Sequence, residues 1–152
     1  MPHVNKAIDS ILLHLESAKE WDEFWNITTP DDDSGSYFTN YPWFSGVICT
    51  GYACEIYRRL PRRASIYGFY EEDNPDSEIG KSVGGHDFAI VDNRYIVDPW
   101  ATGLEGLYEP MALDIRSKRH TDLIEKQYGS ISNWNRFTEK EIYNLLNNKT
   151  KD

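Results

Sequence analysis

The sequence predicts an α+β domain, because helical patterns flank a central run of short strands. Apolar residues recur at helical spacing through residues 4–25 and again through 49–60. Between residues 64 and 98, β-rich runs alternate with turn residues. Helical patterns return at 121–128 and 138–147. This order indicates one α+β domain over the 152 residues, a length that suits a single core.

The first third of the chain is predicted to lead from one helix into another. The helix over 4–25 carries its apolar residues on one stripe, and a loop rich in Pro, Asp and Gly follows at 28–36. Residues 37–48 are aromatic-rich and read as an ordered loop. The second helix is predicted over 49–60, and Pro61 ends it because proline lacks the N–H that a helix uses.

The middle of the chain is predicted to form the sheet. A strand is expected at 64–70, followed at 71–85 by an acidic loop with three glycines and a proline, which we expect to be long and mobile. Two short strands, 86–91 and 95–98, are joined by the hairpin turn 92–94.

The last third is predicted to return to helices. Residues 100–112 read as irregular with one further strand, and a helix at 121–128 is stopped by the glycine after it. The final helix, 138–147, begins with a capping box of Thr138 and Glu141.

Charge argues against nucleic acid as a partner, and the lack of a long apolar run argues against a membrane. The formal charge is −9, and phosphate binding needs clustered Lys and Arg. The densest basic run, 58–63, is short and fits a solvated helix end. Residues 1–10 are too polar for a signal peptide, and no apolar run is long enough to span a membrane. We therefore expect a cytoplasmic protein where it is made, with export without a cleavable signal left open.

The two cysteines, Cys49 and Cys54, are predicted to stay reduced. Both fall in the helix predicted over 49–60, where their Cβ vectors do not converge for a disulfide. No zinc spacing of two Cys and two His exists, so neither a metal nor a cofactor is expected. Cys54 lies within an apolar stripe and reads as a small core residue.

Cys49 is the candidate nucleophile. It opens the second predicted helix, where unpaired N–H groups and the helix dipole favour a thiolate. Gly51 lies two residues on and leaves room for a substrate backbone. The backbone N–H of Cys49 is a candidate oxyanion-hole donor.

His86 and Asp98 are the candidate base and its carboxylate partner. With a three-residue turn at 92–94, residue i pairs with residue 186 − i, so Phe88 faces Asp98 and His86 is the diagonal neighbour on the same face. A two-residue turn would put the two on opposite faces, so the hypothesis requires an odd loop or a bulge. Taken singly, His86 also fits a strand-end histidine, and Asp98 fits a turn-capping aspartate before proline.

Three segments together resemble the transglutaminase-like superfamily of papain-like cysteine enzymes. They are GVICTGYA at 46–53, HDFAIV at 86–91 and YIVDPW at 95–100, in the order Cys, His, Asp. The resemblance covers roughly residues 43–100. It implies a papain-like or transglutaminase-like core, with a nucleophile helix packed on a small antiparallel sheet and flanking helices at both ends. It also implies a catalytic triad of Cys49, His86 and Asp98.

Two features depart from that family or stay open. The family commonly has a small residue and then Trp after its His, where this chain has Asp87 and Phe88. An upstream residue often completes the family's oxyanion hole. The candidates here are Trp43, Asn40 and Asn26, although Trp43 is better suited to anchoring a loop. Gly51 and Trp100 are expected to line the substrate cleft.

The resemblance implies acyl transfer through a Cys49 thioester, with a protein or peptide as substrate. Peptide cleavage, glutamine deamidation and crosslinking share one triad, so the residues leave the reaction open. The size resembles small bacterial toxins and effectors, which favours deamidation or cleavage. The acidic segment 71–78 fits recognition of a basic protein, a lid, or simple solvation. Two alternatives remain: a non-catalytic transglutaminase-like binding module, and an acyltransferase of the arylamine N-acetyltransferase kind.

Overall fold

A computed structural model describes residues 47–148. The elements are α1 (Val47–Arg59), β1 (Ala64–Tyr70), a 3₁₀ turn (Glu71–Asp73), α2 (Glu78–Val83), β2 (Gly85–Val91), β3 (Tyr95–Val97), a π-helical turn (Trp100–Leu104), β4 (Ala112–Asp114), α3 (Lys118–Tyr128), a second 3₁₀ turn (Ile131–Asn133), β5 (Asn135–Arg136) and α4 (Glu139–Asn148). The predicted first helix and the loops before Val47 lie outside the described residues.

The strands form one five-stranded antiparallel sheet in the order β4-β3-β2-β1-β5. This confirms the α+β class and the small antiparallel sheet. All seven residues of the central strand β2 are buried, which requires cover on both faces of the sheet. Neighbouring residues of β2 point to opposite faces. Asp87 contacts Thr50 of α1, and Phe88 packs near Tyr128 of α3.

The predicted register of the hairpin is confirmed. Val91 pairs with Tyr95 and Ala89 with Val97, so paired residue numbers add up to 186. Two of the three residues between the strands, Asp92 and Asn93, have positive φ values of 57° and 55°. Asp and Asn tolerate this left-handed conformation better than other non-glycine residues. The turn chemistry therefore sets the odd loop that keeps His86 and Asp98 on one face.

Helix α4 closes a smaller apolar cluster against α1 and β1. Cys54 lies in this cluster and is buried, which confirms its predicted place in the core. The capping box at the start of α4 is also confirmed. The Glu141 N–H donates to Thr138 Oγ1 at 3.1 Å, and the Thr138 N–H donates to Glu141 Oε1 at 2.7 Å.

The prediction of a long loop at 71–85 was wrong. This segment contains a 3₁₀ turn and α2, which Ser77 caps at its start and Gly84 ends in the left-handed conformation. Two buried side chains tie the segment to the end of α3. The Ser77 hydroxyl donates to the Gln127 carbonyl at 2.6 Å, and Asn74 Nδ2 donates to the Tyr128 carbonyl at 2.7 Å. Tertiary bonds thus order an acidic stretch whose composition resembles a loop.

Smaller differences concern the ends of elements. Helix α1 begins at Val47, two residues before its predicted start, so Cys49 lies inside the first turn. Helix α3 begins at Lys118 because Ser117 caps it, its hydroxyl accepting from the Arg119 N–H. The strand at 64–70 is confirmed with its predicted bounds. A further strand was expected within 100–112, and the observed one, β4, lies later, at Ala112–Asp114. Strand β5 was not predicted, since two residues are too few to show a period.

Candidate active site

Cys49 is the third residue of α1 and has 4% of its surface exposed. The first-turn N–H groups of a helix have no acceptor within the helix, and its dipole favours negative charge at this end. Neither Cys49 nor Cys54 forms a disulfide. Gly51 is buried in the turn that follows. Cys49 therefore lies at the end of α1 that favours negative charge.

His86 is the second residue of β2, and its side chain meets Asp98 directly after β3. His86 Nε2 lies 2.6 Å from Asp98 Oδ2, and the two side chains are 0% and 2% exposed. A bond this short between two buried groups is typical of a charge-assisted pair. The structure thus brings together the histidine and carboxylate that the sequence placed on one face of the hairpin.

The second ring nitrogen of His86 lies on the side of the ring away from Asp98. Nδ1 has no hydrogen-bond partner among the described residues. Cys49 nevertheless acts on the ring. Burial lowers the pKa of His86, but the charge and hydrogen bond of Asp98, together with the influence of Cys49, raise it from 6.5 to about 10. The raised pKa favours the imidazolium form of His86 at neutral pH.

The Asp98 carboxylate is held by two further contacts. The Tyr128 hydroxyl donates to Oδ2 at 2.6 Å, and the backbone N–H of Ala101 donates to Oδ1 at 3.3 Å. Tyr108 extends the chain, with its hydroxyl 2.6 Å from that of Tyr128. Since the single proton of Tyr128 goes to Asp98, Tyr108 is the donor in this second bond. The carboxylate is therefore fixed on both oxygens.

Aromatic rings enclose the His86 side chain. The Trp100 ring lies 4.6 Å from it, and Phe88 stacks on it at 5.7 Å with an interplanar angle of 13°. These rings keep water away from the His86–Asp98 pair, and the attraction between opposite charges is stronger where water is absent. Trp100, predicted to line the cleft, thus lies against the imidazole. Trp43, Asn40 and Asn26 lie outside the described residues.

The residues that follow Cys49 and His86 are also bonded to each other. Thr50 Oγ1 donates to Asp87 Oδ2 at 2.6 Å, and both side chains are fully buried. Asp87 Oδ1 has no hydrogen-bond partner among the described residues. Burial raises the pKa of Asp87 from 3.8 to about 7, although Thr50 and His86 pull it down.

Four of these residues were not predicted as part of the site from the sequence: Thr50, Asp87, Tyr108 and Tyr128. Asp87 had a visible signal, because a carboxyl group inside the apolar run 86–91 must be buried once that run is a central strand. The two tyrosines had none, since they come from parts of the chain that only the fold brings to Asp98.

Among residues 47–148, no group of three or more His, Cys, Asp or Glu side chains could hold a metal ion. No helix in the described part of the chain is both long and apolar enough to cross a membrane. Comparison of the chain with protein-family models, curated proteins and solved structures found no match of any of these kinds.

Proposed function

We propose that this chain is a thiol-dependent acyl-transfer hydrolase with a papain-like or transglutaminase-like core, acting on amide bonds of a protein or peptide. One observation carries the proposal. The buried imidazole of His86 lies 2.6 Å from Asp98, and Cys49 in the first turn of a helix acts on the same ring. This arrangement supports an activated thiol with its base and the residue that orients the base.

In the first half of the reaction, the Cys49 thiolate attacks the carbonyl carbon of the amide. A carbon–sulfur bond forms and the carbonyl electrons move to oxygen, giving an oxyanion. When the oxyanion collapses, the carbon–nitrogen bond breaks and His86 gives its proton to the leaving nitrogen. The products are a thioester on Cys49 and a free amine or ammonia.

In the second half, water attacks the thioester carbon while neutral His86 takes its proton. The carbon–sulfur bond breaks, the acid is released and the Cys49 thiolate returns beside an imidazolium. Asp98 holds the ring in the orientation for both proton transfers. Its contacts with Tyr128 and Ala101 limit its movement.

The leaving nitrogen decides which reaction this is. A glutamine side chain releases ammonia and gives deamidation, whereas a peptide bond releases a new amino terminus. We propose these two outcomes together because both use water as the acceptor. Ammonia release from a glutamine-containing protein without chain cleavage would identify a deamidase, and cleavage would identify a protease. Dependence on acetyl-coenzyme A would instead identify an acetyltransferase.

The decisive test is the pH dependence of Cys49 alkylation by iodoacetamide. Cys54 is replaced by Ala in every variant, so that Cys49 is the single thiol of the chain. An ordinary thiol, with a pKa of about 8.5, loses about tenfold in reactivity for each pH unit below that value. We expect Cys49 to react at pH 6 at least tenfold faster than glutathione, and to lose this advantage in His86→Ala.

His120→Ala is the matched control, because His120 accepts from the Asp114 N–H and has no contact with Cys49 among those described. It should keep the reactivity at pH 6. If Cys49 reacts no faster than glutathione at pH 6, or if His86→Ala leaves its rate unchanged, the proposed function is wrong and a non-catalytic module is favoured.

A further inference from the structure

The nucleophile and its base lie on different elements, and the bond between their sequence neighbours joins those elements. Cys49 and Thr50 are consecutive in α1, and His86 and Asp87 are consecutive in β2. The Thr50 hydroxyl donates to the Asp87 carboxyl at 2.6 Å, with both side chains 0% exposed. Any shift of α1 along β2 would stretch this bond and move the thiol relative to the imidazole.

Apolar packing alone would hold these elements together less strictly. Helix α1 and strand β2 share an apolar cluster that includes Tyr52, Ile56 and Ala89. Burial of apolar surface has no preferred direction. A hydrogen bond is directional. Breaking one between two buried groups leaves both without a partner, because no water reaches them. The Thr50–Asp87 bond therefore limits sliding that the apolar contacts tolerate.

The bond also lies next to the thiol itself. Thr50 Oγ1 is 4.0 Å from Cys49 Sγ, and both residues lie near the amino end of α1. On the other side, Asp87 is one residue from His86, and the sheet pairs both with β1, Asp87 with Gly68 and His86 with Phe69. The strand is thus the fixed partner, and the helix end is the part that the bond positions.

We propose that Thr50 and Asp87 are a positioning pair whose hydrogen bond sets the Cys49 thiol at the His86 imidazole. The proposal rests on the proposed function, because it concerns the thiol–imidazole geometry that this function needs. Neither residue is expected to touch substrate. Both act through the place they give to Cys49.

The test uses the full chain with Cys54→Ala and measures the rate of Cys49 alkylation from pH 5 to 9. Thr50→Val removes the hydroxyl with little change of shape, and Asp87→Leu removes the acceptor with an apolar group of similar size. Each should lower the rate at pH 6 at least tenfold and move the profile toward that of His86→Ala. Thr50→Ser, which restores a hydroxyl, should recover most of the rate lost in Thr50→Val.

The double variant Thr50→Val with Asp87→Leu separates positioning from stability. Replacing both partners by apolar groups leaves no buried polar group unpaired, so folding should be retained or improved. The alkylation rate at pH 6 should nevertheless stay as low as in the single variants, since the two residues act through one bond. Thr121→Val removes a hydroxyl whose described bond is to the carbonyl of Ser117, the cap of α3, and serves as the matched control.

The outcomes distinguish the two proposals. If the Cys54→Ala chain itself lacks reactivity at pH 6 that depends on His86, the proposed function fails. If that reactivity is present but Thr50→Val keeps the full rate, the positioning pair is wrong while the proposed function stands. A double variant that folds and recovers the rate at pH 6 would also overturn the positioning pair.

Discussion

The Tyr128 hydroxyl donates at 2.6 Å to Asp98 Oδ2, the same oxygen that binds His86 Nε2 at 2.6 Å. Burial and the charge of Asp98 raise the pKa of Tyr128 well above 10, so the phenol keeps its proton and remains a donor at neutral pH. One carboxylate oxygen therefore receives both an imidazole and a phenol. Tyr128 thereby becomes a candidate support for the Asp98 carboxylate.

Replacing Tyr128 by Phe should destabilise the fold. Asp98 would lose one of its two short hydrogen bonds while remaining buried, and bonds to charged groups contribute about 1.5–3 kcal/mol. Urea unfolding at pH 7 should show a loss of that order in the free energy of unfolding. Tyr143→Phe, at a side chain that is 65% exposed, is the control and should change stability by less than about 0.5 kcal/mol. Equal stabilities for the two variants would contradict this role for Tyr128.

The His86 ring should stay protonated far above the ordinary range of histidine. Its pKa is raised from 6.5 to about 10, against the effect of burial, by Asp98 and Cys49. Nitrogen chemical shifts of labelled histidine should therefore show a protonated His86 ring at pH 8. Asp98→Asn removes the charge that offsets the lowering of the His86 pKa by burial, so the ring should titrate at lower pH. A wild-type ring that is neutral at pH 8 would contradict the ion pair.

The contribution of this pair to stability should decrease with rising pH. A base whose pKa is higher in the folded state stabilises fully below its unfolded value of 6.5, and loses that stabilisation as the pH rises through about 10. The difference in unfolding free energy between wild type and Asp98→Asn should thus be largest near pH 6 and smaller at pH 9.5. Urea titrations at both pH values measure this difference. If it grew with pH, the predicted direction of the pH dependence would be wrong.

Asp87→Asn should stabilise the fold above neutral pH. The folded state raises the pKa of Asp87 from 3.8 to about 7, so ionisation costs more in the folded chain than in the unfolded one. That cost is absent below pH 3.8, grows as the pH rises to about 7 and is then constant. Since one pKa unit corresponds to about 1.4 kcal/mol, the stabilisation should reach a few kcal/mol at pH 8 and be small at pH 4. A stability difference that does not change with pH would contradict a buried titrating carboxyl.

Gly129→Ala should be among the most destabilising glycine substitutions in the described chain. Gly129 has φ 70° and ψ −155°, a region that is essentially restricted to glycine. An added Cβ would also collide with the Asn74 amide, which holds the end of α3. We expect a loss above about 3 kcal/mol in urea unfolding, since backbone strain of about 1–3 kcal/mol adds to the collision.

Gly84→Ala is the matched control for this variant. Gly84 also has a positive φ, 89°, but an added Cβ meets nothing within 4 Å. Only the left-handed conformation then has a cost, about 1–2 kcal/mol. If both variants lost the same stability, the collision of the added Cβ at residue 129 with Asn74 would not contribute to the loss.

Local patterns allowed a good part of the fold to be predicted from the sequence. The strand at 64–70 and the capping box before α4 depend on residues next to one another, so the chain itself reveals them. The approach of His86 to Asp98 is longer-range, yet it follows from the parity of a three-residue turn, which places both on one face. The catalytic roles of these residues stay a prediction.

The sequence by itself determined the α+β class, the hairpin register and the pair of His86 with Asp98, because each depends on spacing along the chain. Only the tertiary structure decided the helix inside 71–85, the bond of Tyr128 to Asp98 and the bond of Thr50 to Asp87. The two side-chain bonds join residues that are 30 and 37 positions apart in the chain. Which side chains meet in this way depends on how helices pack on the sheet, and apolar periodicity carries no information on that choice.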